Sequence, residues 1–408
     1  MPVRSVPRRA ASVLLALLLT ALVASCGTTD PGTRTMARAL PPGTPFTHPG
    51  VLVSKAQLDV VRKNVIAGKQ PWLQAFLDMR DSKYGSYKYV PQPYATVNCP
   101  WGGKGAQGCL EERQDAIAAY TQALLYSVTG QHQHAVKARE IMDGWSAKLK
   151  RHTAQDAQLQ SSWAGSTWAR AGEIVRYAPG AGWPADRVRR FATMLRTVYL
   201  PEVTRNLPDY NGNWDLAMTD AAIGIAVFTD DHKAFDAAVT RFRGLVPDYF
   251  YLRKDGDVPL TPAGSTANTV KKLESYWFKE TKFEDGIAQE TCRNFKHVGY
   301  SLAATAHIAE TAWHQGVDVY DDIKDRLKAA LDFHARYEMG QKPPSWLCGG
   351  RVVGNMGPDL EVALNHLENR LGTPVPAAHK LVQQTRPAGT DDLFVSWETL
   401  THADNPAA

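Results

Sequence analysis

From Ser54 almost to its end, the chain repeats one pattern: a stretch with apolar residues three and four positions apart, a short polar turn, then another such stretch. Apolar positions at that spacing fall on one face of a helix. The pattern predicts helices over about 55–67, 71–81, 110–129, 133–149, 159–178, 185–200, 214–229, 231–246, 288–315, 319–339 and 358–371. Ser54 and Gln57 have the spacing of a capping box at the first of them. Gly130, Pro184 and Pro247 read as stops or starts. The connecting turns (YSVTGQHQHA, YAPGAGWPAD, VFTDDHKAF, HQGVDVYDD) are short, so neighbouring helices pair antiparallel, about every 40–50 residues. Repeated pairs of this size make either a solenoid or a closed toroid. Two long irregular stretches, 249–269 and 340–358, favour the toroid, because long loops tend to be functional and a toroid has a central cleft for them to border. The expected fold is all-α: an (α/α) toroid, an incomplete barrel of antiparallel helix pairs, over residues 51–375, with 376–408 as a C-terminal extension.

The N-terminus reads as an address. A basic start, MPVRSVPRRA, precedes the mostly apolar run ASVLLALLLTALVA, which at about 14 residues is too short to span a membrane. The run ends in Val23-Ala24-Ser25-Cys26, which resembles a bacterial lipoprotein cleavage box, where the cysteine thiol carries the acyl chain after cleavage. Residues 1–25 are therefore expected to be a lipoprotein-type signal peptide, Cys26 the lipidated residue, and the Gly-, Pro- and Thr-rich residues 26–50 a flexible tether. The expected location is the outer face of the bacterial cell membrane, through a lipid on Cys26, or, with an ordinary secretory signal, the medium. Three arginines of this leader, Arg4, Arg8 and Arg9, face no acid in it, so its removal takes the formal net charge from +5 to +2. That balance argues against a protein built for nucleic acid. The clusters Arg187, Arg189, Arg190, Arg196 and Lys271, Lys272 read as solvated helix faces.

Export also makes sense of the cysteines. Setting Cys26 aside leaves four, an even number in an oxidising compartment. Of the three possible connectivities, Cys99–Cys109, closing a short Gly-rich loop, and Cys292–Cys348, tying a helix to a distant loop, are the expected ones. No Cys or His pair has ligand spacing near a second such pair, so a metal site is not expected.

The chemistry concentrates in Asp285 to Tyr300, DGIAQETCRNFKHVGY. In a helix from about Gln289, Glu290, Arg293, His297 and Tyr300 fall on one face. A second stretch, Tyr210-Asn211-Gly212-Asn213-Trp214, precedes a long helix. Amides flanking a glycine at a helix start can donate to an anion; alternatively, Asn213 caps the helix and Gly212 permits the turn. Among eleven tryptophans, Trp101, Trp214, Trp277 and Trp346 lie in or beside loops and suit a sugar-binding cleft, whereas Trp145, Trp163 and Trp168 read as core.

Taken together, the export signal, the helix pairs, the Asn-rich turn and the 285–300 stretch resemble the alginate lyase family and its relatives acting on other polyuronates. The family pattern E-x-x-R-x6-Y after Asp-Gly is matched by Asp285-Gly286, Glu290, Arg293 and Tyr300. Gly299 stands where the alginate enzymes usually place His before that Tyr, and Asn211 is followed by Gly-Asn-Trp where they have Asn-His. The resemblance implies a toroid that cleaves a 1,4-linked uronic-acid polymer, alginate, polymannuronate or glucuronan, by β-elimination without metal or cofactor. In such a polymer the C5 proton is hardly acidic while the adjacent carboxylate stays charged. Asn211, Asn213 and Arg293 are expected to neutralise that carboxylate. Tyr300 is expected to remove H5 or protonate O4, or to do both in turn if the two lie on the same face, with His297 as the second candidate. Glu290, Gln289, Trp214, Trp277 and Trp346, with Asn213, are expected to bind substrate. Arg293 is expected to lower the pKa of Tyr300. The expected partner is an acidic polysaccharide, with no nucleic acid, and the protein is expected to be a monomer. Two other readings stay open on the residues alone: a hydrolase using paired carboxylates from Asp215, Asp220, Asp285 and Glu290, and a glycan-binding lipoprotein without activity.

Overall fold

Helix faces sort this chain into two layers. The computed structural model describes residues 39–41 and 43–407; Cys26, the expected signal peptide and most of the expected tether lie outside the described residues. The helices are α1 (Lys55–Ile66), α2 (Trp72–Asp81), α3 (Cys109–Thr129), α4 (His132–Lys148), α5 (Ala157–Tyr177), α6 (Ala185–Met194), α7 (Leu200–Val203), α8 (Gly212–Phe228), α9 (His232–Tyr249), α10 (Val270–Tyr276), α11 (Phe295–His314), α12 (Tyr320–Glu338), α13 (Glu361–Asn365), α14 (Pro376–Thr385) and α15 (Glu398–His402). Helix α8 buries every residue from Asn213 to Phe228. A helix buried on all sides must lie between others. By contrast, α9 buries Phe235, Ala238, Val239, Phe242 and Val246, one stripe three and four apart, and leaves its other face to water. Accordingly α3, α5, α8 and α11 pack each on the next as an inner layer, and α4, α9 and α12 back them from outside. Gly165 and Gly224 let α5 and α8 approach, with Ala221 and Ala169 opposite them. The fold is the expected all-α (α/α) toroid.

The ring is closed by parts of the chain whose periodicity is weak. Helix α11 packs on α13, α13 on α15, α15 on α1, and α1 on α3. Residues 376–407, expected as an extension, thus belong to the ring: Phe394, Val395, Trp397 and Leu400 are buried. Arg170 Nη1 donates to the Phe394 carbonyl (2.7 Å). Asn405 Nδ2 donates to the Gln57 carbonyl (3.3 Å), across 348 positions of sequence. Inside the ring lies a charged cluster, in which Asp220 Oδ2 accepts from Arg170 Nη2 (2.6 Å) and His307 Nε2 meets Glu398 Oε1 (2.6 Å). The expected tether also ends early. Phe46 is buried and stacks on His232 (centroids 4.1 Å). His48 lies between Glu173 (3.0 Å) and Asp230 (3.1 Å). A short parallel strand pair, β1 (Thr96–Asn98) and β2 (Arg151–Thr153), was not expected and pairs Thr96 with Arg151.

Candidate active site

All four long inner helices begin at the same end of the ring. Arg113 of α3, Leu159 and Trp163 of α5, Asn213 and Trp214 of α8, and His297 and Tyr300 of α11 line one cleft of about 820 Å³. Trp101, Gly102, Asp156, Asp209, Tyr210, Asn211, Arg293, Lys296 and Leu393 complete its wall. Helix N-termini carry partial positive charge and unpaired N–H groups, so their convergence favours an anionic ligand. Past Asn211 the cleft continues into a chamber of about 490 Å³ bordered by Thr266, Lys272, Tyr276 and Phe278. The 249–269 loop reaches this rim because Asp209 Oδ1 accepts from the Thr266 N–H (2.6 Å) and the Ser265 hydroxyl (2.8 Å). The 340–358 loop does not border the cleft. It backs the start of α11, where the Phe295 N–H donates to the Val353 carbonyl (2.8 Å).

The 285–300 stretch departs from the single helical stripe expected of it. Asn294 has an extended backbone, and its side chain accepts from the His297 N–H (3.1 Å), so the helix starts at Phe295 and the residues before it form turns. Asp285-Gly286 has a packing reason: a Cβ on Gly286 would lie 2.3 Å from the Ala329 carbonyl oxygen, and its φ is +93°. Glu290 points away from the cleft and is fully buried. Its Oε1 accepts from Arg293 Nη1 (2.6 Å), and its Oε2 accepts from Asn213 Nδ2 (2.7 Å) and the Tyr249 hydroxyl (3.0 Å). Burial raises its pKa against the pull of Arg293, Asn213 and Tyr249. One buried carboxyl therefore fixes both Arg293 and Asn213 at the cleft wall. Leaving such a group without its partner costs about 3–5 kcal/mol.

The Asn-rich turn also differs in detail. Helix α8 begins at Gly212, and the residue at its N-cap is Asn211, whose side chain makes no cap bond. Instead Asn211 Oδ1 accepts from Gln289 Nε2 (3.3 Å), which turns the Asn211 amide N–H groups outward. Gln289 is itself buried, and its Oε1 accepts from the Gly212 N–H (3.2 Å). Gly212 is needed for closeness, since a Cβ there would sit 2.3 Å from the Tyr249 ring.

His297 and Tyr300 lie edge to face, ring centroids 5.9 Å apart. His297 Nδ1 is 2.6 Å from Asn294 Oδ1, an acceptor, so Nδ1 carries the proton and Nε2 keeps its lone pair. Burial, with Arg293 and Lys296 nearby, lowers the His297 pKa to about 4. The Tyr300 pKa moves the other way. Burial raises it above the ordinary phenol value, Asp391 and Asp359 add to this, and Arg113 alone opposes. The expected depression of Tyr300 by Arg293 is therefore not found: Arg293 is paired with Glu290, and its charge acts on His297. Gly299 has its own cause, because Asp359 Oδ2 lies where a Cβ would be.

The cleft thus gathers Tyr300, His297, Arg293, Asn211, Asn213 and Trp214. It does not gather the other expected substrate binders. Glu290 and Gln289 stand behind it, and Trp277 is buried in a cluster with Phe283 and Leu347. Trp346 belongs to that cluster too, with Lys282 Nζ 4.9 Å from its ring. Sequence reasoning missed Arg113 and Lys296, and it assigned Trp163 to the core. Helical spacing alone could have flagged Arg113 and Trp163, since each lies in the first two turns of an inner helix. Both disulfides form as expected, Cys99–Cys109 and Cys292–Cys348. The first closes the loop carrying Trp101, and the second holds the 340–358 loop against the segment carrying Arg293. Glu280, Cys292 and Cys348 meet, but two sulfurs bonded to each other are not thiolate ligands.

Solved structures share this architecture. Alginate lyase A1-III from Sphingomonas species A1 superposes with a TM-score of 0.58 at 16% identity, over 87% of this chain and 97% of that one. A Tyr-to-Phe variant of alginate lyase A1-III complexed with tetrasaccharide gives 0.59 at 16% identity, over 87% and 96%. An alginate lyase from Bacteroides ovatus gives 0.57 at 14% identity, over 87% and 99%. At such identities the likeness is one of fold. A search of curated proteins found no match. The family model described as Alginate lyase matches residues 105–346, more than half of the 408 and most of the cleft. The chain belongs to the alginate lyase family, and it is a polysaccharide lyase.

Proposed function

We propose that the protein cleaves a polymer of 1,4-linked mannuronate or glucuronate by β-elimination, with His297 as the base and Tyr300 as the acid. The observation that carries this reading is the pair itself: a neutral imidazole with a free Nε2 beside a phenol held in its protonated form, in one cleft. The Asn211 amide and the Arg293 guanidinium would bind the uronate carboxylate and take up the charge that develops as H5 leaves. His297 Nε2 takes H5, the C5–H electron pair forms the C4=C5 double bond, the C4–O4 bond breaks, and the Tyr300 hydroxyl protonates O4.

Side-by-side acid and base serve a substrate whose H5 and O4 lie on the same face of the ring. Mannuronate and glucuronate meet that condition, and guluronate, the C5 epimer of mannuronate, does not. Trp214 and Trp163 offer the aromatic faces on which sugar rings stack. That alginate lyase A1-III forms a complex with a tetrasaccharide supports an oligosaccharide-binding role for this cleft. Export and a lipid anchor on Cys26 belong to the same proposal, supported by the leader and the V-A-S-C box and by two disulfides that suit an oxidising compartment. The test is a panel of polymannuronate, polyguluronate, glucuronan and hyaluronan, followed by the ultraviolet absorbance of the unsaturated product. Product from polymannuronate or glucuronan and none from polyguluronate is expected. Preference for polyguluronate would overturn the same-face assignment.

A further inference from the structure

Arg113 stands on the α3 wall of the cleft, and the reaction just described does not use it. Its guanidinium lies over the Trp163 ring at 5.5 Å, and its Nη1 donates to Gln160 Oε1 (2.7 Å). Gln160 is buried, and its Nε2 donates to Glu112 Oε2 (2.5 Å) and to the Cys109 carbonyl (3.0 Å). Glu112 is fully buried, and its Oε1 accepts from the Tyr199 hydroxyl (2.5 Å) and meets His152 Nε2 (2.8 Å). Glu112 accepts only, so it dictates which end of the Gln160 amide faces it, and only the amide oxygen is left for Arg113. An amide oxygen holds a guanidinium without forming an ion pair with it, although the Glu112 and Asp391 carboxylates act on it from a distance. Arg293, in contrast, is held by the carboxyl of Glu290.

Tyr300 is where such a charge is needed. Among the described residues its buried hydroxyl has no hydrogen-bond partner. When it gives its proton to O4, a phenolate remains beside Asp391 and Asp359, and both oppose it. Besides Arg293, which Glu290 holds, Lys296 and Arg113 line the same cleft as Tyr300. Lys296 Nζ is 5.9 Å from the ring centroid, but Lys296 is exposed to solvent. Arg113 is half-buried, and its charge acts directly on Tyr300. A charge partly withdrawn from water is screened less.

We propose that Arg113 stabilises the Tyr300 phenolate left when the leaving sugar is protonated, and that Glu112 is a positioning residue acting on Arg113 through the Gln160 amide. This rests on the lyase reading above. The proton balance closes when His297 and Tyr300 exchange protons with water after product leaves.

A double-mutant cycle tests both halves. Arg113→Ala should lower kcat about 10²–10³-fold, the usual loss for one group that stabilises developing negative charge, and added guanidinium ion should restore part of it. Glu112→Gln keeps the shape but frees the Gln160 amide to turn over, and should lower kcat about tenfold in the parent. In the Arg113→Ala background it should cost nothing further. Equal loss in both backgrounds would make Glu112 merely structural. A rise in KM at unchanged kcat for Arg113→Ala would make Arg113 a substrate binder and overturn the phenolate role. If Glu112→Gln does not fold, Gln160→Leu breaks the same relay and is read the same way. A parent protein that forms no unsaturated product from any uronan fails the lyase reading, whereas an active parent with equally active variants fails this proposal alone.

Discussion

Burial does opposite things to an imidazole and to a phenol: it strips the proton from the first and locks it on the second. His297 and Tyr300, neighbours in one cleft, take opposite duties for that reason. Tyr300→Phe keeps the ring and its contact with Phe394 (6.0 Å) but deletes the transferable proton. Folding and uronan binding should persist while unsaturated product nearly vanishes. Product at close to the parent rate would return Tyr300 to a packing role. The pH dependence follows with its sign. His297 acts as a base only when neutral, and its pKa is lowered to about 4, so kcat/KM should fall as pH drops through about 4 and not through the ordinary 6.5. At the alkaline end the raised Tyr300 should keep its proton beyond the usual phenol range. An acid limb near 6.5 in the pH–rate profile would show that another group is the base. At this scale the sequence was legible where residue type and spacing coincide, as in Arg293, His297 and Tyr300. Arg113 went unread although it lies in the first two turns of an inner helix, because the cleft it faces is completed by residues of three other helices. Nor did the sequence show that Glu290, spaced like its neighbours, points into the core.

Elements were easier to read than their ends. The long helices fall near their predicted bounds because their periodicity is strong. The start of α11 was misplaced by several residues, because Asn294 and the Cys292–Cys348 bridge interrupt a pattern that is apolar enough to continue. Helices α10, α14 and α15 were missed, each being ten residues or fewer. The Cys292–Cys348 bridge spans 56 positions, for which the loss of unfolded-chain entropy corresponds to about 4 kcal/mol. Replacing both cysteines with serine should lower the melting temperature under oxidising conditions, and reductant should lower that of the parent by more than that of the variant, which keeps only Cys99–Cys109 to lose. Activity should fall more than stability alone explains, because Arg293 sits next to the bridge. Calorimetry with and without reductant, alongside turnover at a temperature where both proteins stay folded, checks this.

For the whole molecule, the toroid was legible because strongly periodic helices follow one another in pairs through short turns every 40–50 residues. Its seam was not, because closure depends on residues 39–54 and 386–405, where no period runs. The first of these is held by His48. Burial works against the charged ring, but Glu173 and Asp230 outweigh it and hold its pKa above the ordinary value. A raised histidine pKa contributes stability that is fully present below about 6.5 and is lost as pH rises through the folded-state value. His48→Ala should therefore destabilise the protein by about 2 kcal/mol at pH 5 and by less at pH 9. Urea unfolding at the two pH values gives the comparison, and an equal loss at both would mean that the ring is held by stacking on Tyr177 (4.2 Å) and not by charge.

The seam where α1 meets α15 also bears on the order of assembly. Neighbouring helix pairs can form as soon as their own residues are available, since their contacts are local. The bond from Asn405 to Gln57 needs almost the whole chain. Until the last segment is in place, Arg170 and His307 lack the Phe394 carbonyl and Glu398, and the interior they line with Asp220 is charged, not a bare apolar surface. Charged groups that cost free energy in the finished ring thus keep the unfinished one compatible with water, which lessens its tendency to aggregate while the last segment is still to arrive.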